Sequence, residues 1–319
     1  MKAVRLARNT WERVWFAPES PLNLAAARLV LAFQALWILL SRDIPALSGL
    51  PGELWVDVAP AARFRYLLWE GRPGLEAWLQ ALALLALAGV VLGVATRACC
   101  VISGLLLYHL APLETLFFTP SPWAKGLTLP VLGLLTLSVT RCGERLALLP
   151  SEGAVAGNED AWALRLVRLF VCQQYFFSGW AKLAAAGLGW ASAENIRAWL
   201  LLANLDDQLV AFGAPGLWLA DRPALCLLMG VTALTLDLGF VAAPFFSRAR
   251  RLLAPAGLLF HLAILLTLNY AFLGAPLLLL LVDWQRPDGR RRHVQEPSSG
   301  SGGKSTSSGP ATGVTASPS

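Results

Sequence analysis

The stretch QQYFFSGWAKLAAAGLGW, Gln173–Trp190, closes a long apolar run with a lysine, in a chain that places few charges inside its apolar segments. On a helix Tyr175, Ser178 and Lys182 stand at i, i+3 and i+7, so a phenol, a hydroxyl and an amine share one face. An ionisable group at membrane depth is costly and is by default a functional-site hypothesis. The alternative for Lys182 is an anchor at a helix end that reaches back to water.

Working outward, the whole chain has the same apolar character. Of 319 residues, 56% are hydrophobic and 14% charged, and mean hydropathy is +0.57. Repeated apolar runs approach the length of a bilayer crossing, and period-2 alternation is missing over any useful length. The expected fold is therefore all-α, a polytopic integral membrane bundle of about eight helices with interfacial or re-entrant segments. The formal charge of +6 falls mainly in short loops and flanks, which fits the positive-inside pattern and not a nucleic-acid surface. The five cysteines lie in or beside apolar segments without a CxxC pair and read as small buried hydrophobes. No cleavable signal peptide is visible, so the first span is expected to serve as an uncleaved anchor.

Residues 1–21 alternate arginines with Trp11, Trp15 and Phe16, which suits an interfacial amphipathic helix or a plain basic flank. Spans are expected over 22–40, 75–95, 98–118, 127–140, 162–182, 224–246 and 252–268, with a last short apolar run at 276–284. Arg28 lies inside the first and either snorkels or meets an acid on another helix. His109, Pro112 and Glu114 interrupt the third, whose outer end is expected to kink toward a cavity. Residues 184–223 read as interfacial or re-entrant, and 285–319 as a basic, then Gly/Ser/Pro-rich disordered tail. With the N-terminus inside, Lys2, Arg5, Arg8, Arg13, Arg97, Arg141, Arg145, the cluster at 248–251, Arg286 and 290–292 gather on the inner side. Fewer cations fall outside, which places both termini in the cytoplasm and Lys182 at the outer end of its helix.

These residues also carry a resemblance. The segment Tyr175-Phe-Phe-Ser-Gly-Trp-Ala-Lys182-Leu, followed by Trp190, resembles the YFxAGxxKL…W segment of the HTTM (horizontally transferred transmembrane) domain family, the membrane domain shared by vitamin K-dependent gamma-glutamyl carboxylase and many bacterial proteins. SPLNLAAARLVLA, LGVATR, TLDLGFVAAPFF and FHLAILLTL follow the family's order across most of 21–284. The resemblance implies a bacterial inner-membrane protein, with Lys182 as the base that deprotonates a reduced quinone such as vitamin K hydroquinone. In the carboxylase, oxygen then converts the deprotonated quinol into a stronger base, which removes a glutamate γ-proton so that carbon dioxide adds. A lysine suits the first step because an amine drawn out of water yields its proton more readily. The chain also departs from that enzyme. No histidine stands near Ala124 or Lys125, Trp190 follows the lysine by eight residues where the carboxylase has five, and Ala193 replaces a usual glycine; no counterpart of the large luminal domain that grips protein substrates is expected.

The expected catalytic set is Lys182, His261 and Asp237, the last two at mid-span on adjacent helices and able to hydrogen-bond each other. Tyr175, Ser178, Trp190, His109 and Glu114 are expected to line the pocket. With no HxxxH, HExxH or cysteine cluster, no metal is expected. The expected partners are membrane lipid and a secreted peptide or protein, not nucleic acid. The alternative function is a non-enzymatic accessory protein for maturing or exporting a secreted peptide.

Overall fold

A computed structural model describes residues 2–49, 51, 73–111, 122–150, 160–204 and 215–284. The helices are α1 (Lys2–Phe16), α2 (Pro21–Leu40), α3 (Ile44–Ser48), α4 (Pro73–Leu92), α5 (Thr96–Leu110), α6 (Pro122–Ser138), α7 (Ala161–Ala186), α8 (Ala193–Asn204), α9 (Pro215–Ala220), α10 (Pro223–Gly239) and α11 (Ser247–Leu268). Short 3-10 segments occupy Gly187–Ala191, Phe240–Ala242 and Ala275–Leu281. No strand occurs among the described residues, so the chain is all-α.

Local chemistry sets several boundaries. Ser20 opens α2 by accepting the Leu22 amide, with Pro21 in the first turn where its missing N–H costs nothing. Between α4 and α5 the chain reverses through Gly93 at φ 72° and Ala95 at φ 44°. A Cβ on Gly93 would also meet Ala147 at 2.3 Å, so glycine is required there twice over. α5 is described as far as Leu110, and residues 112–118 of the span expected there, with Pro112 and Glu114, lie outside the described residues. α6 begins earlier than expected and runs on through Pro130.

Four helices, at 21–40, 74–92, 223–242 and 247–268, are long and apolar enough to cross a membrane, and this is an integral membrane protein. α7 has 26 residues, or roughly 39 Å at 1.5 Å per residue, more than the roughly 30 Å hydrocarbon layer. Arg165 and Arg168 stand near its start and Lys182 near its finish. The final apolar run is not an eighth transmembrane α-helix, although it returns to the arginine pole, where Asp283 meets Arg168 and Arg250. Residues 275–281 form a 3-10 segment about 14 Å long, with Leu277, Leu278, Leu280 and Leu281 buried against the bundle.

The main core is built by α2, α4, α5, α6 and α7, with Leu31, Leu87, Leu107, Leu134 and Val167 fully buried. A smaller core of Ile196, Leu200, Ala220 and Cys226 joins α8, α9 and α10. All five cysteines are free thiols; Cys100, Cys142, Cys172 and Cys226 are buried as expected, whereas Cys99 is only half-buried.

One pole of the bundle is fastened by arginines. Arg168, 1% exposed, donates to Glu19 at 2.9 Å, to Asp283 at 2.8 Å and to the Leu280 carbonyl at 3.0 Å. Arg250 reaches the same Asp283 at 3.3 Å, and Arg165 donates to the Val14 and Ala17 carbonyls at the end of α1. Arg28 behaves unlike either expectation. It neither snorkels nor meets an acid: it is fully buried, gives one nitrogen to the Leu146 carbonyl and leaves Nε and Nη1 without hydrogen-bond partners. The turn at Gly93 and the connection at Leu146 and Ala147 meet at its guanidinium and cover it.

Arg168→Met removes the donor shared by two carboxylates and leaves both partly unpaired. The expected loss is roughly 3–5 kcal/mol, read as a lower midpoint of thermal unfolding in detergent.

Candidate functional site

At the opposite pole α7 and α10 come unusually close. A Cβ on Gly179 would lie 2.8 Å from the Asp237 Cβ, so glycine at this position lets α10 approach the face that carries Ser178 and Lys182. The result is an ion pair: Lys182 Nζ donates to Asp237 Oδ2 at 2.5 Å, with the Ser178 hydroxyl against the same carboxylate. The amine also lies 4.6 Å over the Trp190 ring, supplied by the 3-10 turn that follows α7. Carboxylate and indole face thus hold the ammonium from two directions.

About two turns nearer the arginine pole, the Tyr175 hydroxyl lies 2.7 Å from His261 Nε2. Tyr175 stacks on Phe240 at 4.4 Å, and the His261 ring lies 4.8 Å from Phe272. His261 Nδ1 is buried and has no hydrogen-bond partner. The site is therefore two polar pairs on a wall of rings. Tyr175→Phe would leave both imidazole nitrogens without a partner, at an expected cost of about 1–3 kcal/mol in unfolding free energy. A Tyr175→Phe variant with an unchanged melting temperature would show the bond to be dispensable.

Both pairs open on one cavity of about 820 Å³, large enough for a drug-sized or lipid-like molecule. Tyr175, Ser178, Lys182, Asp237 and His261 contribute its polar atoms, and Trp190, Trp199, Phe260, Phe272 and Leu277 belong to its apolar wall. The roof is fastened at Asn204, whose amide nitrogen donates to the Leu200 and Thr267 carbonyls at 2.8 Å. Its oxygen accepts from Asn269 at 3.1 Å, which ties α8 to the end of α11. α9 fits beneath because Gly216 has no side chain: a Cβ there would meet the Thr267 carbonyl at 2.1 Å.

Lys182, Asp237, His261, Tyr175, Ser178 and Trp190 thus come together as the sequence suggested, but with different pairings. Asp237 and His261 do not bond to each other. α7 packs against α10, where Lys182 takes Asp237, and reaches α11 through the Tyr175 side chain, which takes His261. His109 is not part of the cavity wall. It sits 3.2 Å from Glu76 on α4, a carboxylate only 1% exposed. The helix spacing turns His109 to α4 instead of α7. Glu114 lies outside the described residues.

Gln174, Trp199, Tyr270 and Phe272 also line the cavity and were not anticipated. Gln174 had a signal, since Gln174, Ser178 and Lys182 repeat at i, i+4 and i+8. Tyr270 and Phe272 follow α11 in irregular chain, where no periodicity points. Among the described residues no group of three or more His, Cys, Asp or Glu side chains could hold a metal.

Comparison with family models, with curated proteins and with solved structures yields no match for this chain.

Proposed function

We propose that the cavity binds a reduced, quinone-like molecule and that Lys182 and Asp237 together take a proton from its hydroxyl group, on the extracytoplasmic side of a bacterial inner membrane, as in an HTTM-type carboxylase-like enzyme. The observation that carries this reading is the ion pair itself, set in the wall of a large apolar cavity in a membrane bundle. A simple anchor would send its amine to water; Lys182 turns inward to a carboxylate on the neighbouring helix.

The fit to such a ligand rests on the donor set. The rings and leucines suit an apolar ring and tail, and the two polar pairs supply hydrogen-bonding groups about two helical turns apart along the wall. A reduced quinone would bring two acidic hydroxyls and reducing power. With Lys182 as an ammonium and Asp237 as a carboxylate, the carboxylate is the open proton acceptor, and the adjoining ammonium stabilises the negative charge left on the ligand oxygen. The work expected of Lys182 alone is thus shared by the pair. Trp190 holds the amine in place and helps to exclude water, and Tyr175 with His261 orients the ligand from below.

The second reading is a binding protein without catalysis, an accessory factor for a secreted peptide. The completeness of the Lys182 pairing favours it, because an amine that already has a carboxylate and a ring face needs no substrate to satisfy it. Purified protein, a reduced naphthoquinone and labelled bicarbonate separate the two when a co-expressed secreted peptide is present. Label in the peptide that disappears with Lys182→Met supports the enzyme. A peptide bound by the wild type with no label transferred supports the accessory factor.

A further inference from the structure

The pole opposite Lys182 carries a surface that the cavity does not use. α1 has the sequence KAVRLARNTWERVWF, with four basic residues against one acid. Arg5 and Arg8 are exposed, and among the described residues Arg8 alone of the two has an acidic partner, Glu12 at 2.8 Å. Trp11 and Trp15 follow Arg8 by three and seven residues and so share its side of the helix; they form a ring pair at 5.5 Å, yet Trp11 remains 60% exposed. A tryptophan so open in water is unfavourable, and so is an arginine in hydrocarbon. The boundary layer of a bilayer accommodates both at once.

The placement of α1 is fixed independently. Arg165 of α7 donates to the Val14 and Ala17 carbonyls, and Glu19 is held by Arg168, so the end of α1 is pinned beside the start of the first span. The same pole receives the start of α11 through the Arg250–Asp283–Arg168 link. There Arg248 and Arg251 are exposed beside Phe245 and Phe246, themselves 52% and 63% exposed. Two elements distant in sequence thus present arginines alternating with exposed rings at one end of the bundle. Arg97 and Arg145, at the two connections on that pole, are exposed as well.

We propose that α1 and the first turn of α11 form a docking surface for anionic phospholipid headgroups, with α1 lying along the leaflet surface, its rings dipping between the headgroups and the neighbouring Arg5 and Arg8 side chains reaching back to the phosphates. Charge complementarity selects this occupant: a purely apolar partner leaves the arginines unmatched, and a soluble acidic partner leaves the rings in water. The surface is separate from the cavity, so this proposal and the proton-transfer reading fail independently.

Hydrogen exchange of the α1 amides tests it, with the full chain placed in nanodiscs of phosphatidylcholine alone or with roughly one-third phosphatidylglycerol. The expected result is exchange slowed about tenfold or more by the anionic lipid, reversed by about 0.5 M salt and lost in the Arg5→Glu/Arg8→Glu double variant, while α2 and α7 exchange as in the wild type. Equal protection in both nanodiscs would mean that the rings alone seat the helix, and would overturn the proposal. So would fast exchange in both, or protection that persists in neutral detergent. The salt titration uses only the wild-type chain, so the outcome does not depend on how well the double variant folds.

Discussion

Lys182→Met is expected to lower turnover of a reduced quinone by about 10²–10⁴-fold, the usual contribution of a positioned acid–base group. Asp237→Asn should cost about as much, because the amide can neither take the proton nor balance the ammonium. The double variant should be no worse than either single one, since two groups that work as a unit are lost together. Additive losses would mean separate roles. Lys182→Met also leaves Asp237 as a buried carboxylate without its cation, which is expected to cost roughly 3–5 kcal/mol of stability. Turnover should therefore be compared at a temperature where both variants are folded, with thermal unfolding measured in parallel.

The second large effect is expected at a residue that touches no ligand. Gly179→Val puts a branched side chain where even a single Cβ lies 2.8 Å from Asp237 and 3.2 Å from Leu238. α10 must move away, at about 1–3 kcal/mol for overpacking, and the bond from Lys182 to Asp237 lengthens as it moves. Binding of a reduced naphthoquinone should then be lost together with turnover, whereas Lys182→Met keeps the cavity and only weakens binding. A Gly179→Val protein that melts and binds like the wild type would mean that the two helices are not held by this approach.

The fold class was legible because apolar runs of span length need no long-range information. The lysine face was legible for a similar reason, since Tyr175, Ser178 and Lys182 are fixed relative to one another by helical spacing alone. Partners across helices were not. Asp237 and His261 looked suited to each other because their helices are consecutive, but pairing depends on which backbones approach most closely, and Gly179 brings α7 to α10. Arg28 illustrates the same limit: its place in the first span was clear, while its burial against the Leu146 carbonyl depends on a connection more than a hundred residues later. Gln174 was within reach of the helical pattern, whereas Tyr270 and Phe272, placed by the turn after α11, were not.

His109 and Glu76 form a second buried acid–base pair away from the cavity. The proton-transfer account gives it no part, so His109→Gln should leave quinone turnover within about twofold of the wild type, as expected of a substitution away from the reacting groups. A loss as large as that of Lys182→Met would require proton movement through α4 and α5.

Photolabelling is the most direct measurement of the central claim. An azido-substituted naphthoquinone, chemically reduced and irradiated with the purified protein in lipid, should attach to the segments that meet at the cavity, 174–199 and 260–277, and unlabelled reduced quinone should displace it. Lys182→Met should weaken that attachment while the protein stays folded. Label confined to other helices, or cavity label that neither quinone nor the substitution diminishes, would contradict the account.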